Sequence, residues 1–281
     1  MLCVVGDLVE DVVVHPVAAP ARGTDTAAAV RRTRGGSAAN VAAAAVAAGC
    51  AARFVGRVGA DATGAALVAS LVSHGVDVRV QRAGATGCIV VIVEPDGERT
   101  MFPDRGAAAE LGPVDPTWLA GITWLHVPAY SLCAEPIGTS TLGAIEVVRA
   151  GGGRLSIDVS SVGTVTAFGA SRFVALASSL APDVVLATTE EAALLGDWAP
   201  PLLVVKHGAD PVELRPSGGS SAWVEVPPID DVLDTTGAGD AFAGGFLAAT
   251  LGGASPAEAA AAGNALARRT LRSAGARLAP R

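Results

Sequence analysis

Residues 234–247 read Asp-Thr-Thr-Gly-Ala-Gly-Asp-Ala-Phe-Ala-Gly-Gly-Phe-Leu, a polar turn with two glycines that runs directly into an apolar helix. Gly237, Ala238 and Gly239 are small enough for backbone N–H groups to approach a ligand, and the N-terminus of a helix favours negative charge. The pattern therefore predicts an anion site at the start of this helix. Ligand sites of this kind are typical of open α/β sheets, beyond the carboxyl ends of the strands.

Asp240 lies inside the predicted anion site, where a carboxylate repels phosphate unless the reaction needs a base. Phosphoryl transfer to an alcohol has that need, because a group must accept the hydroxyl proton beside N–H donors that stabilise the transferring phosphoryl group. The alternative is that Asp240 only caps the helix, a frequent role of aspartate. A dinucleotide-binding fingerprint is excluded, because Phe242 stands three positions after Gly239, where that fingerprint needs Gly or Ala.

Outside this stretch, apolar runs of strand length alternate with longer Ala-rich runs of helix length. This rhythm predicts a mostly parallel sheet covered by helices on both faces. We expect core strands at 2–6, 53–56, 122–127, 154–158, 183–187 and 202–206. We expect helices at 38–49, 61–74, 138–150, 170–179, 189–195, 238–250 and 256–274.

Two segments, 9–33 and 85–102, break this rhythm because their apolar residues alternate with polar or small ones. Alternation predicts strands, and Pro95-Asp96-Gly97 predicts a hairpin turn. We therefore expect a small antiparallel β lid added to one domain that spans residues 1–281. An exposed sheet with an apolar face is usually covered, so the lid predicts a homodimer, with closure of the lid onto the core as the alternative.

Charge and composition exclude several classes of protein. The formal net charge is −7 and the basic residues are scattered, which argues against nucleic acid as the main partner. Lys206 is the only lysine, so a P-loop, which needs Gly-Lys-Ser/Thr, is excluded and a nucleotide phosphate must be held in another way. The chain has no apolar run of membrane-spanning length, no secretory signal and no metal-binding cysteine pairs. We expect a cytoplasmic protein that does not bind membranes.

Two signatures in a fixed order give the chain a family resemblance. Residues 35–40 read Gly-Gly-Ser-Ala-Ala-Asn before an Ala-rich helix, and residues 234–242 form the stretch described above. Together they resemble the two signatures of the ribokinase-like, PfkB-type carbohydrate kinases. The resemblance implies a three-layer α/β/α fold with a mostly parallel central sheet and a small antiparallel β lid. It also implies an ATP-dependent kinase that phosphorylates a hydroxyl on a small sugar or sugar acid of the ribose, fructose or 2-keto-3-deoxygluconate type.

The resemblance implies a role for each residue that matches the signatures. Asp240 is the implied catalytic base, and the amides of Gly237, Ala238 and Gly239 form an anion hole. The implied sugar-binding residues are Asp11, Gly35, Gly36 and Asn40. Carboxylate and amide groups suit that task because they exchange directional hydrogen bonds with vicinal hydroxyls. An N-cap of the following helix is the structural alternative for Asn40.

On the nucleotide side, the resemblance implies that Thr188, Lys206, Gly208 and Asn264 contact ATP. The family usually has Asn-x-x-Glu where this chain has Thr188-Thr189-Glu190-Glu191, so Glu191 remains to hold Mg²⁺ through water while Thr188 replaces the Asn. We therefore expect weaker or shifted metal dependence rather than loss of activity. Asp234 matches a monovalent-cation site of potassium-activated members, so K⁺ is a further possible cofactor.

Three basic side chains bear on the choice of substrate. Arg105 either contacts a carboxylate or phosphate on the substrate or pairs with Asp104 or Glu98. For Arg99, a solvated arginine on an exposed hairpin is the favoured interpretation. His126, at the end of a strand, is predicted to be a packed, hydrogen-bonded histidine rather than a pocket residue.

Two other functions stay open at the level of sequence. The first is a nucleoside kinase on the same fold, which the dispersed tryptophans disfavour because they build no aromatic platform for a base. The second is a non-catalytic regulator that binds a sugar or a nucleotide. The intact Asp240 and residues 237–239 argue against that regulator.

Overall fold

A computed structural model of the chain describes residues 1–94 and 99–272. The strands in chain order are β1 (Leu2–Val5), β2 (Val9–Pro16), β3 (Ala28–Gly35), β4 (Ala52–Val58), β5 (Asp77–Arg82), β6 (Thr86–Val93), β7 (Arg99–Gly106), β8 (Trp124–Pro128), β9 (Arg154–Asp158), β10 (Val184–Thr188), β11 (Leu202–His207), β12 (Asp210–Pro216) and β13 (Ala222–Val224). The α-helices are α1 (Ser37–Ala47), α2 (Ala62–Ser73), α3 (Ile137–Ala150), α4 (Val162–Phe168), α5 (Ala170–Ser179), α6 (Thr189–Ala193), α7 (Ala238–Leu251) and α8 (Pro256–Leu271). Short 3-10 helices lie at Ala107–Glu110, Pro116–Leu119 and Ala129–Ser131.

Nine of the strands form the main sheet, in the order β13-β12-β11-β10-β9-β8-β1-β4-β5. The pairs from β11 to β5 are parallel, and β12 and β13 extend the β11 edge in antiparallel fashion. Strand order reverses at β1, because β4 lies on one side of it and β8 on the other. Open α/β sheets bind ligands beyond the carboxyl ends of the strands at such a reversal. The topology therefore brings the segments after β1 and β8 to the expected ligand side.

Helices cover both faces of the main sheet, as the rhythm of the sequence predicted. Side chains alternate between the faces along each strand, so Val4 faces one hydrophobic cluster and Val5 the other. The first cluster includes residues of α1, α2, α7 and α8, and the second includes residues of α3, α4 and α5. The predicted three-layer fold is confirmed.

Helices α1 and α7 approach each other closely because both are built from small residues. A Cβ atom added at Gly244 of α7 would lie 2.5 Å from the Cβ of Ala44 in α1. On its other side α7 meets α8, where a Cβ added at Gly245 would lie 3.1 Å from the Cα of Gly263. The glycines and alanines in these helices thus let their backbones pack together, which brings the first turns of α1 and α7 to one site.

The four remaining strands form a second sheet in the order β3-β2-β6-β7, and we keep the name lid for it. The pairs β2–β3 and β6–β7 are antiparallel hairpins, whereas the central pair β2–β6 is parallel. Strands β2 and β6 run the same way because each follows the carboxyl end of a parallel strand of the main sheet, β1 and β5. The predicted turn at 95–97 lies outside the described residues.

The strands β5, β12 and β13 and the helix α4 were not predicted. Strand β5 reads Asp-Val-Arg-Val-Gln-Arg, and its alternating polar residues do not form the continuous apolar run expected of a buried parallel strand. Strands β12 and β13 lie at the opposite edge of the sheet, and α4 has only seven residues. Edge strands and short helices carry weak periodic signals.

Among the described residues, no helix combines the length and the apolar character needed to cross a membrane. The four cysteines, Cys3, Cys50, Cys88 and Cys133, are free thiols. The cytoplasmic location stays a prediction from the sequence.

Candidate active site

The first turn of α7 carries the backbone N–H groups that are predicted to bind an anion. Gly237 is the N-cap residue, with a left-handed backbone (φ 76°) that suits glycine, and no side chain caps the helix there. The N–H groups in the first turn of a helix have no carbonyl partner within the helix and can bind an anion. The N–H of Ala238 donates to the carbonyl oxygen of Thr235 at 3.3 Å. Asp240 is in this first turn but does not cap it, and the capping interpretation of Asp240 is therefore wrong.

The Asp240 carboxylate is held by two side chains from the first turn of α1. Ser37 Oγ donates a hydrogen bond to Asp240 Oδ1 at 2.7 Å, and Asn40 Nδ2 donates one to Asp240 Oδ2 at 3.0 Å. Gly36 precedes α1 with φ 97°, and a Cβ atom there would lie 2.2 Å from the Asp7 carbonyl oxygen. Gly36 is the N-cap position, so Asn40 is inside the helix and the alternative that Asn40 caps it is wrong.

The surroundings of Asp240 tune its basicity. Burial raises the pKa of Asp240 to about 6, the hydrogen bonds from Ser37 and Asn40 oppose the rise, and the charge of Asp158 adds to it. Lys206 lowers the pKa. A carboxylate with a pKa of about 6 is mostly ionised at neutral pH and is a stronger base than an ordinary aspartate.

Asp11 belongs to strand β2 of the lid and faces the same region. A Cβ atom at Gly35 would lie 2.0 Å from Asp11 Oδ1, so only glycine lets the Asp11 carboxylate lie against the backbone there. Burial and then the negative charge of Asp240 raise the pKa of Asp11 to about 6. The predicted sugar-binding residues Asp11, Gly35, Gly36 and Asn40 are therefore brought together around Asp240.

The predicted nucleotide-binding residues line one cavity of about 580 Å³. Thr188, Lys206, Gly208 and Asn264 are in its wall together with Ala238 and Gly239 from the start of α7. Its other walls are mainly apolar and include Val212, Val226, Ile229 and Phe242. Apolar walls for a base, joined to N–H donors for phosphates, fit a nucleotide such as ATP. Asn264 also donates to the carbonyl oxygen of Glu225 at 3.1 Å.

Lys206 supplies a positive charge beside the N–H groups at the start of α7. Its Nζ lies 2.9 Å from Asp158 Oδ2 and 3.6 Å from where a Cβ of Gly239 would be. Burial alone lowers the pKa of Lys206, but the nearby carboxylates of Asp158, Glu191 and Asp240 raise it overall. Lys206 therefore stays protonated in the site, and its charge favours phosphate binding.

Glu191 is the predicted magnesium residue, and it is buried at the start of α6. Its Oε2 accepts the backbone N–H of Thr188 at 2.8 Å, while the Thr188 hydroxyl accepts the N–H of Glu191. Burial and the charge of Asp158 raise the pKa of Glu191. Within the described ranges no three acidic, His or Cys side chains cluster to hold a metal directly. Mg²⁺ commonly keeps several waters and uses one or two carboxylates with substrate phosphates, a mode that Glu191 fits.

Arg105 pairs with a carboxylate that the sequence did not single out as its partner. Arg105 Nε donates to Asp7 Oδ2 at 2.7 Å, and Nη2 donates to Asp7 Oδ1 at 2.8 Å. Asp7 follows β1 and Arg105 is near the end of β7, so the ion pair ties the base of the lid to the main sheet. The observed partner is Asp7 rather than Asp104, and Glu98 lies outside the described residues. A contact of Arg105 with substrate stays a prediction.

The prediction that Arg99 is a solvated surface arginine is wrong. The side chain is only 24% exposed, and its guanidinium contacts the loop in front of α7. Strand alternation cannot reveal such a contact, because the loop lies 136 residues away in the chain.

His126 is packed in the core, as predicted. It is fully buried, and its Nδ1 lies 2.9 Å from Ser156 Oγ. Burial lowers the pKa of His126 to about 4, so the ring is neutral and does not supply charge to the site.

Ser37 was not assigned as a partner of Asp240, although it stands within the quoted stretch at 35–40.

Comparisons with known proteins agree with this geometry. The family model described as pfkB family carbohydrate kinase matches residues 1–281. A fructokinase of Klebsiella pneumoniae is 34% identical over 235 residues, which cover 76% of each chain. An ATP-dependent ribose-1-phosphate kinase of Halopiger xanaduensis is 32% identical over 238 residues, with 79% of this chain and 74% of that protein covered. A structure from Escherichia coli described as a ribokinase II, in complex with ATP and Mg²⁺, shares the fold with a TM-score of 0.86 at 20% identity, over 98% of this chain and 94% of that one.

Proposed function

Because the chain belongs to the PfkB family of carbohydrate kinases, we propose that it transfers the terminal phosphoryl group of ATP to a hydroxyl of a small sugar or sugar acid. Acceptors of the ribose, fructose or 2-keto-3-deoxygluconate type fit this proposal. The observation that carries it is the Asp240 carboxylate, which Ser37 and Asn40 hold in the first turn of α7, beside the N–H groups at the start of that helix.

In the proposed reaction Asp240 accepts the proton of the acceptor hydroxyl as that oxygen bonds to the γ-phosphorus, and the bond from phosphorus to the ADP oxygen breaks. The amides of Gly237, Ala238 and Gly239 stabilise the negative charge on the transferring group. Asp11 and Asn40 orient the sugar hydroxyls. The raised pKa of Asp240, about 6, supports its role as base, since a base works best near the pH at which it operates.

For the cofactors, we propose that Thr188, Lys206, Gly208 and Asn264 hold ATP. Glu191 holds Mg²⁺ through water, and the metal neutralises phosphate charge when bound. Since Thr188 uses its hydroxyl to cap α6, it orients metal-bound water less directly than an Asn would, and a weaker metal dependence follows. A K⁺ requirement at Asp234 is part of the same proposal.

We also propose a homodimer formed through the lid. Val12, Val90 and Phe102 are aligned across neighbouring strands on the sheet face opposite Asp11. Phe102 on β7 is 56% exposed, and Val30 on β3, with two strands between them, is 58% exposed. A second copy of this face would remove these apolar side chains from water.

The experiment that tests the function is an acceptor screen with coupled detection of ADP. Ribose, fructose and 2-keto-3-deoxygluconate are compared with adenosine and pseudouridine, first for the wild-type protein and then for Asp240→Asn. We expect Asp240→Asn to lower kcat by on the order of 10²-fold or more with little change in acceptor KM, because the base is lost while the binding groups stay.

The matched control is Asp115→Asn, which makes the same change at a carboxylate that only caps a 3-10 helix. Its kcat should stay within about twofold of the wild type. A near-normal kcat for Asp240→Asn contradicts Asp240 as base. Turnover with nucleosides alone favours a nucleoside kinase, absence of ADP with every acceptor favours a binding regulator, and preference for sugar acids supports a role for Arg105 in binding substrate.

A further inference from the structure

Arg99, at the start of β7 in the lid, contacts the loop in front of α7. Arg99 Nη1 donates to Thr236 Oγ1 at 2.9 Å, and Nη2 donates to Thr235 Oγ1. Nη2 also lies 3.5 Å from Asp234 Oδ1. The guanidinium therefore contacts three consecutive residues, and the next residue along the chain is Gly237, the N-cap of α7.

The loop itself has little regular structure to hold it. Residues 225–237 contain no helix or strand. Asp234 Oδ1 accepts the N–H of Thr236 at 2.8 Å, and the N–H of Leu233 donates to the carbonyl of Leu271 at 2.8 Å. These bonds hold the backbone at Leu233 and Thr236, and the carbonyl oxygen of Thr235 accepts the N–H of Ala238 at 3.3 Å. The hydroxyls of Thr235 and Thr236 are bound by the lid.

We propose that Arg99 is a positioning residue for phosphoryl transfer. By holding Thr235 and Thr236, it orients the backbone N–H groups of residues 237–239 that bind the anion. The inference rests on the proposed kinase function. A guanidinium suits this task because its planar fork makes two directional hydrogen bonds while its charge faces the Asp234 carboxylate. Arg99 acts through the loop, and small errors in the position of such donors are costly, since a shift of about 1 Å costs on the order of 10²-fold in rate.

The contact also links the two halves of the site. Arg99 and Asp11 belong to the same four-stranded lid, on β7 and β2, whereas residues 234–239 belong to the main body of the protein. The contact of Arg99 with Thr235 and Thr236 forms only when the lid lies over this loop. The position of the lid that brings Asp11 to the acceptor thus also sets the positions of the N–H groups of residues 237–239, which bind the phosphate.

The test compares Arg99→Ala and Arg99→Lys with Arg32→Ala. Arg32 is the matched control, because it is a lid arginine whose ion pair with Glu10 is on the surface, with its side chain 69% exposed. We expect Arg99→Ala to lower kcat by about 10- to 100-fold with acceptor KM within about threefold, and Arg99→Lys to lose less. Arg32→Ala should stay within about twofold of the wild type.

Guanidinium chloride at a concentration far below that needed for unfolding provides the second readout. It should restore part of the kcat of Arg99→Ala, because the free cation can occupy the place of the lost side chain, and it should not raise the kcat of Arg32→Ala. The same concentration of sodium chloride should not restore activity. Loss of kcat without this rescue, with a matching drop in Tm, means that Arg99 only stabilises the fold and overturns the inference.

Failure of the proposed function is distinguishable from failure of this inference. If Asp240→Asn abolishes turnover and Arg99→Ala keeps kcat within about twofold, the inference alone is wrong. If the wild-type protein phosphorylates no acceptor, the proposed function is wrong, and calorimetry of ATP binding then decides about Arg99. We expect Arg99→Ala to bind ATP about 5- to 10-fold more weakly than Arg32→Ala, and equal affinities overturn the inference. If Arg99→Ala does not fold, the same comparisons are made with Arg99→Lys.

Discussion

Burial and hydrogen bonding have opposite effects on the pKa of the Asp240 carboxylate. It is buried enough for its pKa to rise to about 6, yet hydrogen bonds from Ser37 and Asn40 favour the ionised form and limit the rise. Without these donors, the carboxylate would stay protonated up to a higher pH and would be a poorer base at neutral pH. At the scale of single residues, the first turn of α1 therefore sets the pH at which Asp240 can work.

The pH dependence of kcat/KM checks this role. For the wild-type protein we expect kcat/KM to fall as the pH drops through about 6, because the protonated base cannot accept the hydroxyl proton. Ser37→Ala removes a hydrogen bond that lowers the pKa, so this acid limb should move to higher pH by about half a unit to one unit. Since Asp11 also titrates at about 6, the limb belongs to the pair of carboxylates.

Ser178→Ala is the control for this pH profile, because Ser178 only bonds the carbonyl of Ala175 on an exposed helix surface. Its acid limb should coincide with that of the wild type. A limb that moves to lower pH in Ser37→Ala contradicts the assignment of Asp240 as the titrating base.

At the scale of elements, the contact between α1 and α7 brings Ser37 and Asn40 to Asp240. The two helices approach closely because Gly244 has no side chain, and a Cβ atom there would lie 2.5 Å from Ala44 Cβ and 2.8 Å from the backbone N of Ala45. A larger residue must separate the helices, and that separation moves the donors in α1 away from the carboxylate in α7. Small residues in α7 are therefore a requirement of the site as well as of the core.

Gly244→Ala and Gly143→Ala form a matched pair that measures this requirement. We expect Gly244→Ala to lower the free energy of unfolding by about 1–3 kcal/mol, since an overpacked contact costs that much. In α3, a Cβ added at Gly143 meets no atom within 4 Å, so Gly143→Ala should raise it by about 0.5–1 kcal/mol through the higher helix propensity of alanine. Urea unfolding measures both. Equal stabilisation by the two substitutions would show that α1 and α7 are not in close contact.

At the scale of the whole molecule, the lid is a separate sheet held to the main body at its base and near its tip. The ion pair between Arg105 and Asp7 joins its base to the end of β1, and Arg99 joins it to the loop in front of α7. One face of the lid carries Asp11 toward the site, so its other face presents Phe102 and Val30 to solvent. The proposed dimer covers this second face.

The assembly prediction concerns that exposed face. We expect the wild-type protein to elute as a dimer at micromolar concentration and Phe102→Asp to elute as a monomer, because a charge in an apolar interface loses its hydration. Val147→Asp is the control, since Val147 is 38% exposed on α3 and outside the lid. Size-exclusion chromatography with light scattering measures the mass. A monomeric wild-type protein contradicts the dimer.

Features that depend on neighbours in the chain could be predicted from the sequence. Hydrophobic periodicity indicated the main sheet and its covering helices, because side chains alternate along strands and repeat every three or four residues in helices. The Gly-Ala-Gly turn predicted the start of α7 near Ala238, where the helix begins. The match to the family signatures predicted one set of side chains around Asp240 and a second set around ATP. The fold gathers the first set around Asp240, and the second set lines one cavity.

Side-chain contacts between residues that are distant in the chain were decided by the tertiary structure alone. Ser37 and Asp240 are 203 residues apart, and Arg105 and Asp7 are 98 residues apart. Composition and spacing do not determine such pairs, because the distance between two side chains depends on how closely α1 packs on α7 and on how the lid strands leave the main sheet. Arg99 has the same explanation: its position on β7 was predictable as part of a lid, but its contact with Thr235 and Thr236 exists only because the folded lid lies over that loop.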